Sequence, residues 1–304
     1  MSSPLGPDGL HALKAHGTGN DFVVVLDPDD TWPLVTDVVR ALCDRRLGVG
    51  ADGVIRAVRA DVDGEAGWFM DHVNADGTTA EMCGNGVRVL AHSLVDAGLV
   101  DPAVGRVPVL SRAGARPVRL VAAGYPVYAV EMGPVSVAED LVAVGVVGPD
   151  RTRRLPGRAV DVGNPHVVVD VGDVAAVLDA DLARRPTLEP EPEHGANVEL
   201  VGGVGQGDAP GTGYLRMRVH ERGVGETSSC GTGAVAAAAA ASLRNGHRSW
   251  TVDVPGGRLR VRLRRREDEG IVGSELAGPA EVVARLVVEP AWLERAAAGQ
   301  PLSR

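Results

Sequence analysis

Apolar positions in this chain fall into three patterns. The longest is an almost unbroken alanine run, Ala234 to Ala241, directly behind the turn Cys230-Gly231-Thr232-Gly233. Alanine is the strongest helix former, and no charge follows before Arg244, so a helix starting near Gly231 and buried on all sides is predicted. The second pattern is a helical period at Leu34, Val35, Val38, Val39 and Leu42, predicting a helix over 34–46, with Cys43 beside its apolar face as a core thiol. A further helix is expected near 173–184 and a short exposed one from Ala291. The third pattern is short β-like runs: Phe22 to Leu26 behind the turn HGTGND, a run after LGVGADG, and segments near 158–171, 197–201 and 214–220. In 258–264 arginines alternate with Leu259, Val261 and Leu263, a half-buried strand with a basic outer face. Residues 1–9 read as a loose tail, 101–135 as short β segments, PTLEPEPEHG as a loop and the Gly-rich 202–213 as a hairpin loop.

The chain repeats itself. Setting Met70 against Met217 places Asn74 on Glu221, Cys83 on Cys230, Gly84 on Gly231 and Gly86 on Gly233, an offset of 147 throughout. Asn20-Asp21-Phe22 with three valines pairs with Asn164-Pro165-His166 with three valines at an offset of 144. Two blocks at nearly one offset indicate a tandem duplication. An α/β architecture of α+β type follows: two similar lobes, each a mostly antiparallel sheet round a central helix, joined near 125–135. If an approximate two-fold relates the lobes, the two Cys-Gly-x-Gly helix starts face each other across a ligand cleft.

Composition narrows the function. The 304 residues carry 23 % charged side chains and a net charge of −9, which argues against general nucleic-acid binding. No apolar run reaches membrane-spanning or signal-peptide length, so a cytoplasmic location is expected. Three cysteines, Cys43, Cys83 and Cys230, make a poor disulfide framework and suit a reducing compartment. Lys14 is the lone lysine and hence the one candidate for a Schiff base.

A cysteine at a helix start meets unpaired N–H groups and the positive helix end, which favour its thiolate and also hold a carboxylate. Two such thiols suit inversion of a carbon stereocentre: one takes a proton from one face and the other delivers one to the opposite face. Helix-start N–H groups at Gly84, Asn85, Gly231 and Thr232 would bind the α-carboxylate and take up charge in the transition state. The competing readings are two buried structural cysteines in Gly-rich turns, or a redox dithiol, although a local Cys-x-x-Cys is absent.

The stretches HGTGNDF, NADGTTAEMCGNG, GNPH, ANVE and ERGVGETSSCGTGA, spread in order over nearly the whole chain, resemble the diaminopimelate epimerase family. The resemblance implies a cofactor-independent isomerase, commonly dimeric, that interconverts LL- and meso-2,6-diaminopimelate on the route to lysine and peptidoglycan, with neither nucleic acid nor membrane as partner. It implies an N-terminal lobe over 10–130 joined by a returning strand near 276–288, a C-terminal lobe over 131–275 and a tail over 289–304. Cys83 and Cys230 become the acid/base pair, and Asn20, Asn74, Asn164 and Asn197 bind the substrate's polar ends. Arg222 grips the distal carboxylate, Glu221 holds the reacting ammonium, and His166 stands where the family has a residue aiding catalysis. Two positions depart from the pattern: Ala51-Asp52-Gly53 replaces a Phe-Asp-Gln whose glutamine touches substrate, and His220 replaces a tyrosine. The alternatives are a proline or hydroxyproline racemase, a phenazine-pathway isomerase, or a non-catalytic amino-acid-binding homologue.

Overall fold

A computed structural model describes residues 4–122 and 127–302. Five α-helices lie among them: α1 (Thr36–Cys43), α2 (Gly84–Asp96), α3 (Val174–Asp179), α4 (Gly231–Asn245) and α5 (Pro290–Ala297). The chain forms two compact units, residues 1–130 with 279–304, and residues 131–278. The join expected near 125–135 lies in part outside the described residues, as do the first three positions of the expected tail.

In the first unit the strands Gly9–Gly17, Asn20–Leu26, Gly53–Val62 and Glu65–Asn74 lie side by side, and Val109–Ser111 follows them. Glu281–Val288 pairs antiparallel with Gly9–Gly17 at the other edge. Helix α2 packs against this sheet, presenting Val87, Leu90, Ala91 and Leu94 with full burial. A second apolar layer, with Val38, Val39 and Leu42 of α1 and Leu293 and Ala296 of α5, covers the far side.

In the second unit the sheet closes on itself. It runs through Val127–Val147, Thr152–Asp161, Pro165–Gly172, Asn197–Gln206, Thr212–Glu221, Ser249–Val254, Gly257–Arg266 and Gly270–Pro279, which returns to Val127–Val147. Helix α4 packs against the consecutive strands of this ring from Thr152–Asp161 to Gly257–Arg266, and Ala234 to Ala239 have no exposed surface. The alanine run therefore has a geometric cause: a closed ring of strands leaves room for a helix only if its side chains are small.

The duplication is visible in the connections. Each unit has two parallel strand pairs bridged by a helix, because a parallel pair needs a crossover. Asn20–Leu26, α1 and Gly53–Val62 correspond to Pro165–Gly172, α3 and Asn197–Gln206. Glu65–Asn74, α2 and Val109–Ser111 correspond to Thr212–Glu221, α4 and Ser249–Val254. The remaining pairs with given register are antiparallel, as an α+β fold with two similar units requires.

Several local expectations shift. Leu5–Gly6 is not loose but pairs with Gly9 and Leu10. Helix α3 ends at Asp179, six residues in all, and Leu182 is buried from the turn that follows instead. The expected hairpin loop over 202–213 is mostly strand: Asn197–Gln206 and Thr212–Glu221 pair out to Gln206 and Gly213. Gly211 does turn the chain, at φ 74°, but Gly202 and Gly213 serve close approach. A Cβ on Gly202 would sit 2.3 Å from the Asp173 carbonyl oxygen, and one on Gly213 would sit 2.5 Å from the Trp250 ring.

Candidate active site

The first unit builds its site at the start of α2. A two-residue turn, Thr18 (φ 52°) and Gly19 (φ 81°), joins the first two strands with both residues left-handed, the conformation that suits a tight hairpin. It delivers Asn20 as the first residue of its strand. Cys83 is the N-cap of α2, extended at φ −137° and ψ 115°, and its Sγ accepts the Gly86 N–H at 3.3 Å. The thiol donates to Asn20 Oδ1 at 3.7 Å, and Asn85 Nδ2 donates to the same oxygen at 3.3 Å. Asn20 Nδ2 donates to Asp52 Oδ2 at 2.7 Å, which fixes which end of the amide faces the thiol. Asp52 is held by Arg45 at 2.7 Å, and Arg45 also grips Asp21. Burial opposes ionisation of Asp21, but hydrogen bonds from Arg45 and Lys14 outweigh it and hold its carboxyl down at about 2. Lys14, spent on Asp21 and the Gly50 carbonyl, is committed to this network.

Behind Asn85 lies Arg88, with no exposed surface. It donates to Asn85 Oδ1 at 2.9 Å and to the Gly84 carbonyl at 3.0 Å, while its Nε finds no partner among the described residues. Burial pushes the guanidinium down to about 10, and the charge of Cys83 acts against that shift. Asn74 is not drawn into this cluster: its amide donates to Thr78 Oγ1 at 3.0 Å in the turn after its strand, although Asn74 pairs with Gly53 beside Asp52.

The second unit repeats the design with other side chains. Cys230 caps α4, and its Sγ accepts the Gly233 N–H at 3.4 Å and meets Thr232 Oγ1 at 3.4 Å. Asn164 Nδ2 reaches Thr232 Oγ1 at 3.5 Å, and Asn164 Oδ1 lies 3.0 Å from His166 Nε2. His166 Nδ1 lies 2.7 Å from Oε1 of Glu199, both side chains wholly buried. Asn197 Oδ1 accepts the backbone N–H of Arg222 at 2.9 Å, whose exposed guanidinium donates to the His194 carbonyl. Glu221 accepts from Thr227 Oγ1. Burial pushes the Glu221 carboxyl up, against hydrogen bonds from Thr227 and the Cys230 thiol.

One expectation is reversed at Cys230. Helix-start N–H groups were expected to favour its thiolate, yet the thiol is pushed well above its ordinary range. Burial is the largest cause, followed by the charges of Glu221 and Glu199, and these exceed the help of Thr232 and the Gly233 N–H. Residues of the two clusters that were not singled out in the sequence include Arg45, Arg88 and Glu199. Arg88 carried a readable signal, a lone charge amid Val87, Val89, Leu90 and Ala91 one turn behind a cysteine.

A model of the family described as diaminopimelate epimerase matches residues 12–138 and 158–283. A diaminopimelate epimerase of Thermobifida fusca is 46 % identical over 90 % of this chain and 96 % of its own length. That of Corynebacterium glutamicum is 43 % identical over 89 % and 95 %. Among solved structures, a phenazine biosynthesis protein of the PhzF family from Bacillus anthracis covers 91 % of this chain and 98 % of its own at a TM-score of 0.69 and 14 % identity. A hydroxyproline epimerase from Agrobacterium vitis covers 93 % of each chain at a TM-score of 0.62 and 16 % identity. Those two share the fold, whereas the sequence matches reach across both cysteine motifs, and the chain belongs to the diaminopimelate epimerase family.

Proposed function

We propose that this protein interconverts LL- and meso-2,6-diaminopimelate by moving a proton at one α-carbon, with Cys83 and Cys230 as the two acid/base groups and no cofactor. The observation that carries the reading is that each unit presents a thiol as the cap of a helix start, its sulfur accepting a backbone N–H of that helix. Inversion needs removal on one face of the carbon and delivery on the other, so two groups of modest basicity fit better than one. Cys230, held as a thiol by burial and by the charges of Glu221 and Glu199, suits the proton-donor half of the cycle. Cys83 then takes the α-proton, and the roles exchange in the reverse direction.

The carbanion-like transition state needs stabilisation, and the N–H groups of Gly84, Asn85, Gly231 and Thr232 stand in the first turns of α2 and α4, at the positive helix ends. Asn20, Asn74, Asn164 and Asn197 bind the polar ends of the substrate. Glu221 takes the reacting ammonium, which relieves the cost of its burial. The exposed Arg222 pairs with the distal carboxylate. The family match and an arginine in that position favour diaminopimelate over proline or hydroxyproline, whose ring leaves nothing for Arg222 to hold. The protein works in the cytoplasm as a homodimer, which light scattering on the purified protein tests.

The test of the reaction is incubation with LL-diaminopimelate in deuterated water under reducing conditions, without added cofactor. Deuterium at the α-carbon and appearance of the meso isomer are expected. Neither label nor meso product refutes the reading. Cys83→Ala and Cys230→Ala each abolish turnover while leaving the circular dichroism spectrum unchanged.

A further inference from the structure

Glu199 has no exposed surface, and its Oε1 lies 2.7 Å from Nδ1 of an equally buried His166. A buried carboxylate is expensive unless something pairs with it. Its second oxygen, Oε2, is buried with no partner among the described residues, so the His166 contact is its main compensation. Through that ring the carboxylate is linked to Asn164 Oδ1 at 3.0 Å, through Asn164 to Thr232 Oγ1 at 3.5 Å, and through Thr232 to Cys230 Sγ at 3.4 Å.

The fold itself does not demand an acid there. In the first unit the matching place belongs to Ile55. Ile55 pairs with Val24 as Glu199 pairs with Val168, both 144 positions apart. Ile55 Cδ1 approaches within 3.0 Å of a Cβ built on Gly86, as Glu199 Oε1 approaches within 2.7 Å of one built on Gly233. The partner of the acid is exchanged with it: Phe22 stands where the second unit has His166. An isoleucine and a phenylalanine thus serve the same frame, and the carboxylate and imidazole of the second unit answer a need other than packing.

We infer that Glu199 is a positioning residue of the reaction, anchoring the His166 ring so that Nε2 holds the Asn164 amide in one orientation beside Thr232 and Cys230. Around the ring stand two oxygens, Glu199 Oε1 on Nδ1 and Asn164 Oδ1 on Nε2. A carboxyl–imidazole pair that shares its proton at Nδ1 keeps Nε2–H as a donor, and Asn164 then has its Oδ1 committed and its Nδ2 free for Thr232 or substrate. His166 in this arrangement orients an amide and does not itself take the α-proton. The inference rests on the proposed reaction for its kinetic readout but not for its structural one.

Two variants separate the cases. Glu199→Gln keeps the shape and supplies an amide N–H to Nδ1, which preserves Nε2–H. Glu199→Ile copies the other unit and removes the anchor. In protein labelled with ¹⁵N-histidine, the wild type and Glu199→Gln show a protonated Nε2 at His166, and Glu199→Ile shows that signal shifted toward mixed tautomers. With diaminopimelate, Glu199→Gln retains kcat/KM within about threefold, while Glu199→Ile loses about tenfold or more, mainly through KM, with an unchanged melting temperature. Unaltered His166 signals and kcat/KM in Glu199→Ile overturn the inference. So does an equal loss in both variants accompanied by a lower melting temperature, which marks a purely structural carboxylate. If the wild type fails to turn over diaminopimelate, the substrate reading fails, and the ring signals still decide the anchor.

Discussion

Replacing Arg88 by methionine raises thermal stability and lowers activity. The guanidinium has no exposed surface, no carboxylate among its hydrogen-bond partners, and an Nε without any partner among the described residues. Its pKa drops from the ordinary arginine range to about 10, and each pKa unit is worth about 1.4 kcal/mol, so its charge costs the fold about 3 kcal/mol. The sign follows from linkage: a base with a depressed folded pKa destabilises the fold below that pKa, and the cost fades as pH climbs from about 10 into the ordinary arginine range. At neutral pH the full cost is present. Against it stands one contact whose loss matters, Asn85 Oδ1, worth about 1–2 kcal/mol when left unsatisfied. The Gly84 carbonyl keeps its place in the helix ladder, where the Arg88 backbone N–H is its regular partner.

Methionine fills the same slender volume without the charge, so a net gain of about 1–2 kcal/mol is expected. For a chain of this size that is a rise of about 2–3 °C in melting temperature, read by calorimetry at pH 7.5. Activity falls at the same time, because Asn85, freed of Arg88, no longer holds Asn20 Oδ1 against the Cys83 thiol. A melting temperature several degrees lower in Arg88→Met refutes the reasoning, since it requires an anionic partner that stabilises the arginine. Undiminished turnover refutes the functional half.

Two further outcomes follow from the same geometry. Gly233→Ala places a Cβ 2.7 Å from Glu199 Oε1 and 3.2 Å from Cys230 Cβ, whereas Gly86→Ala meets the terminal methyl of Ile55 at 3.0 Å and Cys83 Cβ at an ordinary 3.4 Å. Overpacking against an anchored carboxylate costs about 1–3 kcal/mol and a methyl yields more cheaply, so chemical denaturation should rank Gly233→Ala below Gly86→Ala, with turnover following the same order. The Cys43 thiol is pushed up to about 12 by burial, so the fold prefers its protonated form. Stability is then intact below about pH 9 and falls by about 1.4 kcal/mol per unit as pH rises from there toward 12. Urea midpoints at pH 8, 9 and 10 should decline more steeply in the wild type than in Cys43→Ala, and parallel declines would remove Cys43 as the cause.

The helices behind the two cysteines were legible because local pattern and packing agree there: alanines need a helix, and the closed strand ring needs alanines. Cys83, Asn20 and Asn85 were legible as members of a repeated motif, and the structure brings them within hydrogen-bond reach of one another. The strands over 202–213 were not, because glycine is read as a turn residue while here it makes room for the Asp173 carbonyl and the Trp250 ring. The helix expected near 173–184 stops at Asp179, and Leu182 beyond it is buried from a turn, a burial that needs no helix. The reversed ionisation of Cys230 was beyond any local signal. It depends on Glu199, brought by a neighbouring strand, and on how far burial outweighs the helix start.

Duplication supplied this protein with two copies of one frame, and the interest lies in what was changed between them. At Phe22 and Ile55 the first unit is apolar where the second has His166 and Glu199. At Arg88 the first unit buries a cation where the second, 147 positions on, has Val235. One thiol therefore caps a helix with a buried guanidinium in its electrostatic reach, and the other caps a helix with two carboxylates in reach. Each of these buried charges is costly, and none is needed to keep the shape, since the other unit keeps it without them. Charges retained at such cost in a duplicated frame point to work that the frame alone does not do. Two identical thiol sites would have identical proton affinities. A reaction that starts with one thiol giving and one taking needs them to differ, and the exchanged charges lie where they create that difference.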